Sequence, residues 1–232
     1  MDTITLITGG NKGLGRESAR RLKEAGHSVT IGVRDPGRGR AAADELEVGW
    51  LHLDVTDQAS VDAAAEQIRS QHGRLDVLVN NAGITGGIQP LEQTTVEQVT
   101  AVLATNLFGV LRVTNAFVPI LQNSEHARIV NVTSAVGSFA MTLEHDLFDW
   151  HIIPPVYALS KTALTMLTLK YSRALPGMRV NAADLGYTRT DLNGGAGNHD
   201  VTVGTDGIVA LATLDADGPT GTVVSAYGSL PW

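Results

Sequence analysis

The chain of 232 residues has a length typical of a single domain, residues 1–232, and its 43% hydrophobic and 18% charged residues are typical of a globular rather than a disordered protein. Its formal charge of −7 and its scattered basic residues argue against a nucleic-acid partner. The absence of cysteine excludes disulfide bonds, thiolate metal sites and cysteine nucleophiles.

The N-terminus and the apolar runs bear on the expected location of the protein. Residues 1–4 lack the basic start and the apolar stretch of a secretory signal peptide. No uninterrupted apolar run approaches the roughly 18 residues needed to span a bilayer. We therefore expect a cytoplasmic location and no membrane partner.

Short β-branched apolar runs alternate along the chain with longer segments of helical periodicity. The predicted strands are Thr3–Thr8, Ser28–Val33, Gly49–Leu53, Leu75–Asn80, Arg128–Thr133, Met178–Ala183 and Thr222–Ser225. The predicted helices are Gly13–Ala25, Gly37–Leu46, Gln58–Gln71, Val96–Leu121, Val156–Ala174 and Thr205–Leu214. Central strands that are apolar on both faces are typical of a parallel sheet covered by helices. The pattern predicts an α/β fold of the doubly wound, Rossmann type, with about seven parallel strands and helices on both faces.

A glycine-rich loop follows the first predicted strand and leads directly into a helix. It reads Thr8-Gly9-Gly10-Asn11-Lys12-Gly13-Leu14-Gly15. Glycine lets the backbone turn tightly and approach a pyrophosphate, whose charge is then stabilised by the helix N-terminus. An ordinary tight turn is the alternative, but the place of the loop at the first strand–helix junction favours a dinucleotide site.

Five motifs that follow one another along the chain resemble the pattern of the short-chain dehydrogenase/reductase family. They are Thr8-Gly9-x-x-x-Gly13-x-Gly15, Asn80-Asn81-Ala82-Gly83, Asn106, Ser134 and Tyr157-x-x-x-Lys161. The resemblance extends over the whole chain. Three further features are similar to the monomeric carbonyl-reductase branch, namely Asn11-Lys12, Val33-Arg34-Asp35 and the additional residues between Ser134 and Tyr157.

The residues after the second predicted strand bear on the choice of cofactor. Val33 is uncharged, whereas NAD-binding folds usually place an acidic side chain there to bind the ribose 2′-hydroxyl. Arg34 and Lys12 are suited to a 2′-phosphate, which the guanidinium can bind with two hydrogen bonds. We therefore expect NADP(H). The alternatives are that both cations are solvated surface charges, or that Asp35 serves NAD.

The resemblance also implies cofactor contacts outside the glycine loop. Asp54 would accept a hydrogen bond from the adenine amino group, with Val55 beside the ring, although Asp54 could instead cap the next helix. Thr190 would contact the carboxamide, although Leu185 stands where the family usually has proline. The predicted cofactor residues are Gly9, Asn11, Lys12, Gly13, Leu14, Gly15, Arg34, Asp54, Val55, Asn81, Ala82, Gly83, Tyr157, Lys161 and Thr190.

Tyr157 and Lys161 are one turn apart on a predicted helix and therefore share a face. Carbonyl reduction needs a proton at the carbonyl oxygen, and a nearby ammonium would lower the pKa of a phenol from about 10 toward neutral. This pair is predicted to supply the general acid, Tyr157, and its activator, Lys161, which would also bind the ribose.

Two further catalytic residues are implied by the resemblance. Ser134 would orient the substrate carbonyl, with a capping role as the alternative and Thr133 as a competing register. Asn106 would hold a kink in its helix and a water that relays protons to Lys161. The alternative for Asn106 is a helix asparagine satisfied by its own backbone.

The expected function is reversible, NADPH-dependent reduction of a small-molecule ketone or aldehyde to an alcohol. An NAD-dependent alcohol dehydrogenase and a non-catalytic dinucleotide-binding regulator are the alternatives. No metal is predicted, because the histidines and carboxylates of residues 144–151 lack the spacing of a helical ligand pair. The same segment carries Phe148 and Trp150, which we expect to cover the helix face used for dimerisation in the family. A monomer is therefore favoured over a homodimer or homotetramer.

Overall fold

The computed structural model of the protein describes residues 2–143, 153–225 and 228–231. Within these residues the strands form one sheet in the order β3-β2-β1-β4-β5-β6-β7-β8. They are β1 Thr3–Thr8, β2 His27–Val33, β3 Gly49–His52, β4 Val77–Asn80, β5 Arg128–Val132, β6 Arg179–Ala183, β7 Val223–Ser225 and β8 Gly228–Leu230. The first seven strands pair in parallel, which confirms the predicted sheet. The antiparallel β8 was not predicted, because a three-residue strand has no readable periodicity.

Helices connect the strands and cover both faces of the sheet. They are α1 Gly13–Glu24, α2 Pro36–Leu46, α3 Gln58–His72, α4 Val96–Leu103, α5 Val110–Leu121, α6 Phe139–Leu143, α7 Pro155–Ala174, α8 Val201–Gly204 and α9 Asp206–Ala212. Short 3₁₀ turns lie at Leu91–Gln93, Ala135–Gly137 and Asp191–Asn193. The predicted helix Val96–Leu121 is continuous, but its middle, Ala104–Gly109, is π-helical. Sequence periodicity did not indicate this wider turn.

Acidic side chains fix where two of these helices begin. The side chain of Asp35 accepts a hydrogen bond from the backbone N–H of Arg38 at the start of α2, and Pro36 occupies the first turn. Asp57 caps α3 in the same way through the backbone N–H of Ala59. These caps give both helices a defined start directly after their strands.

The core consists of two apolar layers, one on each face of the sheet. Consecutive residues of β4 lie on opposite faces of the sheet and belong to different layers. Leu78 packs in the layer with Phe117 of α5, and Val79 packs in the layer with Leu22 of α1. All four of these side chains are fully buried. This arrangement explains why the central strands are apolar at consecutive positions.

The helical span Val96–Leu121 is long and apolar enough, by length and composition alone, to cross a membrane. One face of its α5 part is buried in the core, where Val113, Phe117 and Leu121 pack among the sheet residues. The apolar content of the α5 part is therefore explained by its packing in the core.

The strand order reverses between β1 and β4, and the carboxyl ends of these strands open into a crevice. Open α/β sheets bind their ligands at such a switch point. Thr8 ends β1, Asn81 follows β4, Ser134 follows β5 and Asp184 follows β6. The sheet thus brings four polar residues that are far apart in the sequence to one edge.

Candidate active site

The glycine loop lies at the mouth of this crevice, between β1 and α1. Gly9 and Gly13 adopt positive φ angles of 67° and 53°, a conformation that other residues rarely adopt. A Cβ atom on Gly15 would lie 2.5 Å from Asn81 Nδ2, so a side chain at this position would displace the neighbouring loop. Glycine is therefore required both for the path of the chain and for the close approach of two backbone segments.

Asn81 ties the end of β4 to the glycine loop. Its Nδ2 donates hydrogen bonds to the backbone carbonyls of Thr8, at 2.9 Å, and Gly9, at 3.3 Å. The backbone N–H groups of Asn81 and Ala82 both donate to Thr8 Oγ1 at 3.0 Å. These four bonds hold the loop in one conformation before any ligand binds.

Two cations lie on the outer side of the glycine loop. Arg34 is exposed directly after β2, and its charge contributes to a lowered pKa of Asp54. Lys12 is also exposed, and its Nζ lies 3.2 Å from the carboxylate of Asp191. The carboxylate of Asp35 is already used in capping α2.

The side chain of Asp54 closes a local turn after β3. Its Oδ1 accepts hydrogen bonds from the backbone N–H and the hydroxyl of Thr56, at 2.9 and 2.7 Å. Burial raises the pKa of Asp54, but these bonds and the charge of Arg34 outweigh it, so the pKa lies below its usual value. The cap of the next helix is Asp57 rather than Asp54. The neighbouring Val55 is buried.

The segment after β6 reaches back to the glycine loop. A Cβ atom on Gly13 would lie 3.6 Å from Cγ2 of Thr190, so this threonine lies beside the loop. The backbone N–H of Thr190 donates to Asn193 Oδ1 at 3.1 Å, and the N–H of Arg189 donates to the carbonyl of His199 at 2.9 Å. The turn is thus held by hydrogen bonds even though it lacks the proline that is usual in the family.

Asn106 is 1% exposed in the π-helical segment. Its Oδ1 accepts a hydrogen bond from the backbone N–H of Ile84 at 2.9 Å, and its Nδ2 donates to the carbonyl of Ile84 at 2.8 Å and to Ser160 Oγ at 3.0 Å. It therefore joins its helix to the chain after β4 and to α7, and is not satisfied by its own backbone.

The side chains of Thr133 and Ser134 have different surroundings. Thr133 is buried, and its hydroxyl forms a 2.7 Å hydrogen bond with the hydroxyl of Thr165 on α7. Ser134 precedes the 3₁₀ turn Ala135–Gly137, but its side chain makes no capping hydrogen bond. The serine, not the threonine, is the hydroxyl that is available to a ligand.

Tyr157 and Lys161 lie in the first two turns of α7. Lys161 is 3% exposed, its Nζ donates to the carbonyl of Val132 at 2.7 Å, and the same atom lies 5.3 Å from the centre of the Tyr157 ring. Burial lowers the pKa of Lys161 to about 8. A Cβ atom on Gly83 would lie 3.8 Å from Nζ, so the end of β4 also borders this group.

The expected lowering of the tyrosine pKa is wrong. Burial, and to a smaller extent the charge of Asp184, raise the pKa of Tyr157 above its ordinary value. The ammonium of Lys161 is directed at a backbone carbonyl and is not among the causes of the shift. Tyr157 is therefore held as a protonated phenol, which can donate but not accept a proton.

A cavity of about 480 Å³ opens beside the start of α7. The described residues that line it are largely apolar and none is charged: Ile88, Gln89, Pro90, Leu91, Ile153, Pro155 and Ala158. Ala158 is the next residue after Tyr157 in α7, but Tyr157 itself is not part of this lining.

Within the described part of the chain, no group of three or more His, Asp or Glu residues could hold a metal ion. The whole segment 144–151, which was considered above as a metal site, lies outside the described residues, together with its Phe148 and Trp150. Sequence reasoning missed one polar residue of this region, Asp184. A carboxylate directly after a buried strand was the signal that could have identified it.

Comparison with known proteins gives three further findings. A family model described as short chain dehydrogenase matches residues 3–200. Among curated proteins, (+)-neomenthol dehydrogenase of Capsicum annuum is 28% identical, with 93% of each chain covered, and salutaridine reductase of Papaver bracteatum is 29% identical, with 93% of this chain and 92% of the relative covered. The crystal structure of NADPH-bound carbonyl reductase from chicken fatty liver has a TM-score of 0.87 and 27% identity, with both chains fully covered.

Proposed function

Since the chain belongs to the short-chain dehydrogenase/reductase family, whose members act on CH–OH and C=O groups, we propose that it is an NADPH-dependent carbonyl reductase with Tyr157 as the general acid. The observation that carries the proposal is the half-buried Tyr157 beside the buried Lys161, whose Nζ donates to the carbonyl of Val132, two residues before Ser134. The side chain of Ser134 makes no capping hydrogen bond. The relatives that are named as reductases, and the carbonyl reductase crystallised with NADPH, support it.

The glycine loop fits a dinucleotide. Its positive φ angles and the contact of Gly15 with Asn81 leave a side-chain-free surface at the N-terminus of α1, where a pyrophosphate is stabilised. Arg34 and Lys12 would bind the 2′-phosphate of NADP(H). Asp54 and Val55 would hold the adenine, and Thr190 would hold the carboxamide.

The chemistry assigned to the chain is the transfer of a proton. When bound, the nicotinamide ring supplies the hydride for reduction or accepts it for oxidation. Ser134 donates a hydrogen bond to the substrate carbonyl, and Tyr157 delivers its phenolic proton to the same oxygen. Lys161 donates to the ribose and restores the proton on Tyr157, while Asn106 fixes the helix geometry and the water of the proton relay.

Two alternatives have less support from the contacts. NAD-dependent oxidation would need an acidic partner for the ribose, but Asp35 is engaged at the start of α2. A non-catalytic regulator would have no use for a buried lysine held beside a tyrosine, because burying an ammonium is costly without a function.

We propose that the substrate is an uncharged, bulky apolar ketone, because the described residues that line the cavity are largely apolar. We expect NADPH oxidation with 2-substituted cyclohexanones at a kcat/KM at least about tenfold higher than with a 2-keto acid, because none of these described lining residues is a cation that could bind a carboxylate. Absorbance of NADPH gives the rate. Absence of turnover with every ketone, aldehyde and quinone in a panel would refute the reductase.

A pair of variants tests whether this cavity holds the substrate. Leu91→Asp places a charge in its wall, whereas Val96→Asp places one on a similarly exposed apolar residue that does not line it; the two side chains are 66% and 75% exposed. Only the first should reduce kcat/KM for the cyclohexanone. Equal effects of the two variants on kcat/KM would indicate that the substrate binds outside this cavity.

We also propose that the chain acts as a monomer. The reason is the length of the segment between Ser134 and Tyr157, which we expect to cover part of α7. Two α7 side chains, Leu159 and Met166, are 49% and 53% exposed, so the cover of this helix is partial among the described residues. Light scattering after gel filtration at micromolar concentration is expected to give a mass near 24.5 kDa. Two or four times that mass would contradict the proposal.

A further inference from the structure

A buried carboxylate lies beside the proposed catalytic residues and takes no part in the proposed chemistry. Asp184 follows β6 and is 5% exposed. Its Oδ1 accepts a hydrogen bond from the backbone N–H of Ala135 at 2.7 Å. Burying a carboxylate is unfavourable unless such bonds compensate for the lost water.

We propose that Asp184 is a positioning residue for carbonyl reduction, which braces the turn that carries Ser134. This inference rests on the proposed function, since it concerns the proposed catalytic serine. It assigns a role to a residue that the family resemblance does not identify.

The brace continues the pairing of β5 and β6 beyond the ends of both strands. The last backbone bond between the two segments runs from the N–H of Thr133 to the carbonyl of Ala183 at 2.8 Å. Two residues on, the N–H of Ala135 meets the side chain of Asp184 instead of a backbone carbonyl. Ser134 lies between these two fixed N–H groups, so its backbone is held on both sides.

The charge of Asp184 acts on a small set of titratable groups. Tyr157 and Lys161 face the site from α7, and His199 lies over the turn, where a Cβ atom on Gly186 would be 3.1 Å from its Cδ2. Burial raises the pKa of Asp184, and the backbone donors and His199 act in the opposite direction. In the alkaline range in which a phenol titrates, Asp184 is ionised, so its negative charge opposes the formation of phenolate at Tyr157.

The variant Asp184→Asn removes the charge and keeps an oxygen that can accept from Ala135. Alcohol oxidation with NADP⁺ needs the phenolate as base, so its rate rises with pH as Tyr157 ionises. With cyclohexanol as the probe, we expect this rise to occur about one pH unit lower in the variant. As a control, Asp76→Asn neutralises a buried carboxylate that accepts from the N–H of Ile4 at the opposite edge of the sheet, and should leave the profile unchanged.

A spectroscopic titration reports on the same group without turnover. The ultraviolet absorbance of phenolate is followed against pH in the unmodified protein and in Asp184→Asn, each minus its Tyr157→Phe counterpart. The signal of Tyr157 should appear about one unit lower in the variant. If the protein reduces no ketone at all, the proposed function fails, and this titration still decides the role of Asp184.

The brace is tested separately by Asp184→Ala, which removes the acceptor of Ala135. We expect kcat for cyclohexanone reduction to fall by about tenfold or more, with the dissociation constant of NADPH unchanged by fluorescence, because only Ser134 is displaced. Should Asp184→Asn lose its cooperative melting, Asp184→Ser replaces it with the same expected pH shift. An undiminished kcat in folded Asp184→Ala would overturn the inference, and so would an unshifted profile together with an unshifted titration in folded Asp184→Asn.

Discussion

Tyr157→Phe is expected to lower kcat for ketone reduction by about 10²–10⁴-fold while NADPH still binds. The substitution removes only the hydroxyl, which is the proposed proton donor, and leaves the ring that packs beside Lys161. The rate is measured by NADPH absorbance, and binding by fluorescence of the reduced cofactor. We expect kcat to fall while the dissociation constant of NADPH stays the same, since the lost interaction is made mainly in the transition state.

Helix α7 offers a matched control for this variant. Tyr171 lies on the same helix, and its hydroxyl donates to Asn115 Oδ1 at 2.7 Å. Tyr171→Phe removes the same atom away from the crevice and should change kcat less than about twofold, since at most one hydrogen bond that does not contact the substrate is lost. If Tyr157→Phe retains most of the activity, another group is the acid and the proposed chemistry is wrong.

Arg34→Ala is expected to weaken the binding of NADPH by about 1.5–3 kcal/mol, which corresponds to roughly 10- to 150-fold. Arg34 is exposed after β2 and would lose its hydrogen bonds to a phosphate that only NADPH carries. The dissociation constant of NADH, measured in parallel, should change little. Equal losses for the two cofactors would contradict the assignment of the 2′-phosphate.

Arg40 provides the control for the loss of a positive charge. It is exposed on α2, close to Arg34 in the sequence, and its guanidinium lies 5.7 Å from the centre of the Trp50 ring. Arg40→Ala should alter NADPH binding by less than about twofold, because a solvent-screened charge outside the site contributes little. A loss as large as that of Arg34→Ala would indicate a general electrostatic effect.

The sequence by itself determined the fold and the place of the site. Strands that are apolar at consecutive positions require cover on both faces, and their alternation with helices requires parallel crossovers. The glycine loop, Gly9 to Gly15, could be read locally because its backbone conformation depends on the absence of Cβ atoms. The bounds of β1 agree with the prediction, and those of β2 to β7 differ from it by at most two residues, since strand ends depend on their neighbours.

The tertiary structure decided which polar groups meet. Lys12 pairs with Asp191, which is 179 residues away, and Asn106 binds the backbone of Ile84 and the hydroxyl of Ser160. The order of strands, which no local pattern encodes, also places Asp184 against the turn after Ser134. The surroundings of Tyr157 in the folded chain raise the pKa of its phenol, whereas the nearby lysine in the sequence had predicted a decrease. Periodicity specifies which face of an element is buried, but the partner of each buried polar group is specified only when distant segments pack together.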